Sequence, residues 1–134
     1  MLKDIENPTS SNVCIAAVHE ISKEGELVWN VYVINKKEIT IEGILVMSKG
    51  YGEVDGEARQ TSTLRHFIEK IEPGSFSKIE PLPNDLLGFF NEYFLTYYVG
   101  SVLFDKKFVF EPYSINNKNS AFIESLGQNG ILLS

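Results

Sequence analysis

Residues Leu27–Ile34 set Leu27, Trp29, Val31 and Val33 against Val28, Asn30, Tyr32 and Ile34 in strict alternation. A period of two built from β-branched and aromatic side chains specifies a pleated strand. Successive side chains leave opposite faces, and stiff χ1 rotamers suit that surface. Upstream, Val13-Cys14-Ile15-Ala16-Ala17-Val18 is apolar on both faces, which predicts a central strand. Glu24-Gly25 supplies a tight connection between the two runs. Downstream, Ile39–Met47 alternates Ile39, Ile41, Leu45 and Met47 against Thr40 and Glu42. Gly43 interrupts that alternation and predicts a bulge or a close backbone approach. The Asn35–Glu38 turn between the second and third runs predicts an antiparallel hairpin.

Three glycines in Gly50–Glu57 read as a flexible acidic loop. Thr61–Ile71 carries two patterns: Leu64, Phe67, Ile68 and Ile71 fit helical spacing, whereas the flanking strands favour β, and a strand is expected. Pro73-Gly74-Ser75 is a turn, and Ser77–Glu80 is at most a short strand. Phe89–Val99 and Val102–Phe110 form a second hairpin around Gly100-Ser101. Near the end, Ala121–Leu126 reads as a short helical turn with Gly127 as its stop.

About seven short strands without βαβ alternation predict an all-β fold, an immunoglobulin-like antiparallel β-sandwich with a short C-terminal helix. The 134 residues suit one domain: a polar lead-in at 1–11, a sandwich at 12–112 and a tail at 113–134. Its 43% hydrophobic content is enough to offset the entropy of folding.

A formal net charge of −6 repels phosphate backbones, and no local basic patch offsets it, so nucleic acid is not an expected partner. No apolar run reaches the length of a membrane span, and the start of the chain lacks the apolar core of a signal peptide. With the single Cys14, no intramolecular disulfide can form, and a reducing cytoplasm is the compartment this usage fits.

Catalytic machinery is not evident in the pattern. There is no Gly-x-Ser-x-Gly elbow, no phosphate loop and no dinucleotide fingerprint, and no cofactor is expected. No metal site is expected either. Cys14 and His19 are five apart on one strand and so point to opposite faces, and the acidic Glu53-x-Asp55-x-Glu57 lacks the further ligands of a calcium loop. Arg59, Arg65 and His66 form a candidate anion site for a phosphate or carboxylate, with Arg59, Arg65 and Phe67 read as sharing a face. The least ordinary feature is the aromatic density from Phe89 to Phe110. Tyr93, Tyr97 and Val99 should point one way, and Phe90, Phe94 and Tyr98 the other. One set fills the core, and the other needs a cover or a partner.

The runs Trp29-Asn30-Val31-Tyr32-Val33-Ile34-Asn35, Ser48-Lys49-Gly50-Tyr51-Gly52, Leu64-Arg65-His66-Phe67 and Asp105–Phe110 resemble a group of small, uncharacterised bacterial proteins. Some of that group carry the label of a phenylalanyl-tRNA synthetase subunit. The resemblance implies a tRNA-related role, but the Phe-Arg-x-Glu motif of those enzymes is absent and no catalytic residue carries over. The residues themselves point instead to a module that contacts an unknown protein or a second copy of itself, with Tyr93, Tyr97 and Tyr98 as contact residues. A small-ligand or enzymatic site at Arg59, Arg65 and His66 is the alternative.

Overall fold

The computed structural model describes residues 10–134. The lead-in expected at 1–11 therefore lies almost wholly outside the described residues. Ten strands form two antiparallel sheets, more than the seven expected: β1 Val13–Ile21, β2 Leu27–Asn35, β3 Ile41–Val54, β4 Glu57–Gln60, β5 Leu64–Ile71, β6 Phe76–Leu82, β7 Phe90–Val99, β8 Val102–Phe110, β9 Ala121–Ile123 and β10 Gln128–Leu133. The first sheet runs β6-β2-β1-β10-β9; the second runs β4-β3-β7-β8, with β5 also on β3. This is a β-sandwich, and no helix among the described residues is long and apolar enough to cross a membrane.

The doubly apolar β1 sits at the centre of its sheet, as its composition requires. Its inward residues Val13, Ile15 and Ala17 join Val31, Val33, Leu95 and Phe110 between the sheets. Burying a side chain the size of Leu95 contributes roughly 2 kcal/mol. The outward residues Cys14, Ala16 and Val18 form a second cluster with Ile34 and Ile123, against which Tyr32 and Leu126 pack.

The β2–β3 hairpin expected from the Asn35–Glu38 turn does not form. β2 pairs with β1 and β6, whereas β3 pairs with β4, β5 and β7, so the turn carries the chain from one sheet to the other. Asn35 makes that crossing stable. Its buried amide donates to the Ile39 carbonyl at 2.9 Å and the Ile71 carbonyl at 3.0 Å, while its side-chain oxygen accepts from the Lys37 N–H at 3.0 Å. Backbone groups that a hairpin would have paired are satisfied by one side chain. Gly43 does mark a bulge: its φ is +56°, the register shifts between Glu42 and Leu45, and a Cβ there would stand 3.2 Å from the Tyr98 ring.

Gly50–Glu57 is not a flexible loop. Asp55 and Gly56 take φ of +53° and +78° and close a two-residue β3–β4 hairpin. Asp-Gly is the dipeptide such turns favour, because both central residues need positive φ. Thr61–Ile71 yields strand β5, and the second hairpin, β7–β8, turns at Gly100 with φ of +61°.

The C-terminal helix is also absent. Ala121–Ile123 is strand β9, and the expected helical turn survives only as the β9–β10 connection. There the Gly127 N–H donates to the Ile123 carbonyl at 2.9 Å, with Gly127 at φ +66°. One turn is stopped by the glycine before a helix can propagate, and the chain returns as β10 to pair with β1. Residues 113–134 thus supply two strands of the first sheet.

Candidate functional site

Strand register carries the outward side chains of the second sheet across β5, β3, β7 and β8 in rows. Phe67, Leu45, Thr96 and Asp105 form one row, and Arg65, Met47, Phe94 and Lys107 the next. Lys49, Glu92 and Val109 follow, and then the pair Tyr51 and Phe90. This face is open. Phe67 is 70% exposed, Tyr98 43% and Phe90 37%, with Leu45, Met47 and Phe94 half-buried between them. Tyr51 and Phe90 stack at 5.4 Å between ring centres, and the Lys49 ammonium lies 5.8 Å from the Tyr51 ring. Lys49 also reaches Glu92, at 4.0 Å. Beside it a depression of about 270 Å³ is lined by Met47, Lys49, Thr63, Arg65, Glu92 and Phe94.

The aromatic residues divide by face as expected, but the division removes two of the three expected contact residues. Tyr93 and Tyr97 are 1% and 0% exposed and belong to the core, so they are unavailable to a partner. Tyr93 donates to Glu80 Oε2 at 2.9 Å. Burial, the Glu80 charge and that hydrogen bond hold its hydroxyl well above the ordinary range. Tyr97 shares a 2.6 Å hydrogen bond with Ser10 and stacks on Phe104 at 5.5 Å; burial pushes its pKa up despite the Ser10 bond. Tyr98 alone of the three faces outward.

The anion site also disperses. Arg65 lies on the outer face opposite Met47. His66 points inward opposite buried Val46, its Nε2 2.7 Å from Glu80 Oε1. Arg59 lies opposite Gly52, so it shares the parity of buried Ser48 rather than that of Arg65, and sits 3.8 Å from Glu57. The expectation that Arg59 and Arg65 share a face fails because residues 61–63, between β4 and β5, break the count of alternation. Lys49, not Arg59 or His66, is the cation that the fold brings beside Arg65.

Two carboxylate hubs were not foreseen. Glu80 on β6 accepts from Ser48 Oγ of β3 at 2.9 Å, in addition to its bonds with His66 of β5 and Tyr93 of β7, and so ties the sheets together. It bridges Ser48 and His66, which is not the order of a nucleophilic triad, where the histidine stands between. The cavity beside it, about 40 Å³, is the size of a water rather than a substrate. Glu20 on β1 accepts from Asn30 and Tyr32 at 2.7 Å and from Gln128 at 2.8 Å, joining β2 and β10 to it. Burial raises its pKa, but the three hydrogen bonds and the Lys78 charge together outweigh that and leave it lowered; half-buried Tyr32, desolvated and bonded to that carboxylate, is pushed up to about 12. Both hubs join side chains from different strands, and no pattern within a single strand marks them.

Cys14 and His19 do diverge. Cys14 belongs to the outer cluster, where burial raises its thiol pKa, and His19 stacks on core residue Trp29 at 4.3 Å. Comparison with protein-family models, with curated proteins and with solved structures finds no match.

Proposed function

We propose that this immunoglobulin-like sandwich works without catalysis, by contacting another protein through the outer face of its second sheet. The observation that supports this reading is one contiguous surface on which Phe67, Phe90 and Tyr98 stand exposed around half-buried Leu45, Met47 and Phe94. Isolated surface aromatics are ordinary; a joined set across several strands is the composition of a contact surface. The edges at β6, β9 and β8 are poorer candidates. β6 carries Pro81 and a register shift, β9 has three residues, and β8 presents Lys106 and Lys107 at mid-strand. Each is a device that discourages strand addition.

The test is a Phe67→Ser, Tyr98→Ser double variant, compared with the wild-type chain by capture from the native host and by sedimentation over a concentration series. The reading expects the variant to keep its unfolding midpoint but lose a discrete partner or a self-associated species. Equal behaviour of both chains would overturn it, as would salt-sensitive RNA binding that vanishes in the variant.

A further inference from the structure

Resting on that contact face, we infer that it receives an extended protein segment carrying carboxylates on both sides of one bulky apolar residue, in the spacing acid-x-apolar-x-acid. The row Arg65–Met47–Phe94–Lys107 has an apolar floor on β3 and β7 with a cation at either end, on β5 and β8. Arg65 and Lys107 are both exposed, and neither has an ion-pair partner among the described residues. The face's own Glu92 is engaged by Lys49. On a chain of net charge −6, a bracket of two cations that no described residue pairs, set around an apolar floor, runs against the global field, so its complement is local and specific.

The spacing follows from sheet geometry. Arg65 and Lys107 are three inter-strand steps apart, roughly 14 Å. An extended segment laid across the strands advances about 3.3 Å per residue and shows every second side chain to one face. Residues i and i+4 then stand about 13 Å apart, with i+2 between them over Met47 and Phe94. A nucleic-acid strand fits less well, because it carries a phosphate at every nucleotide and would set one over apolar Met47 and Phe94 between the cations.

The experiment is selection of phage-displayed random peptides on the full chain, on Arg65→Gln/Lys107→Gln and on Phe67→Ser/Tyr98→Ser. Enrichment of acid-x-apolar-x-acid on the wild-type chain is expected, with a loss of about tenfold in affinity on the charge variant and when the acids become glutamine. Peptides that need Phe67 and Tyr98 but show no acid pattern, and that bind the charge variant equally, would overturn this inference and leave the contact face standing. If no selected peptide depends on either pair, both fall.

Discussion

The two sheets use similar residues on their outer faces and finish them differently. On the first sheet Cys14, Ala16, Val18 and Ile34 are at most 2% exposed, because the chain's own end folds over them: Ile123 of β9 and Leu126 of the turn after it pack there beside Tyr32. On the second sheet no element among the described residues does the same for Phe67, Phe90 and Tyr98. Apolar content alone does not separate a core from a contact surface. What separates them is whether a later segment of the same chain returns to close the face.

The largest effect should come from charging each face in turn. Val18→Asp buries an unpaired carboxylate under Ile123 and should cost about 3 kcal/mol or more, whereas Phe67→Asp on the open face should cost within about 1 kcal/mol. Guanidinium unfolding midpoints of the two variants check this, and similar losses would mean that the faces do not differ as described.

A smaller loss should come from the lid itself. Gly130 on β10 lies opposite Val18, and a Cβ there would stand 2.5 Å from the Ala17 carbonyl oxygen, 2.6 Å from Val18 Cγ1 and 3.0 Å from Ile123 Cδ1. Backbone cannot yield as a flexible side chain does, so Gly130→Ala should cost about 2 kcal/mol by overpacking. It should also raise hydrogen exchange in β9 and β10 ahead of β3 and β7. Uniform loosening of both sheets would instead mean that the lid is not a separate unit.

How much of this was legible in the sequence varies with the range of the interaction. The alternation of β2 and of β7 rests on neighbouring residues, and it predicted which aromatics part company. The bulge at Gly43 was likewise local. Asp55-Gly56 carried its hairpin signal in plain view, but two further glycines nearby made the whole stretch read as loop. The β2–β3 turn misled because a short connection says nothing about whether the strands it joins will pair; the answer lay in the reach of the Asn35 side chain to residues 71 and 72. The dispersal of Arg59, Arg65 and His66 turns on the three residues that part β4 from β5, and the gathering of Ser48, His66, Glu80 and Tyr93 on how β3, β5, β6 and β7 are brought together. No single-strand pattern contains either.

The smallest effect concerns the carboxylates at the borders of the two faces. Glu92 on the open face has a single cation at 4.0 Å, and Glu92→Gln should change stability by no more than about 0.5 kcal/mol. Glu20 on the closed face holds side chains from two neighbouring strands, so Glu20→Gln, which keeps one acceptor, should cost about 1 kcal/mol at neutral pH. The two should also differ with pH. Because the Glu20 pKa is lowered on folding from 4.5, its contribution is fully present above that value and fades as pH falls through the folded value. The wild-type chain should therefore lose stability toward acid more steeply than Glu20→Gln, and urea titrations between pH 7 and 3 measure that gap. Parallel acid limbs in the two chains would show that the three hydrogen bonds do not discriminate between the charged and the neutral carboxyl.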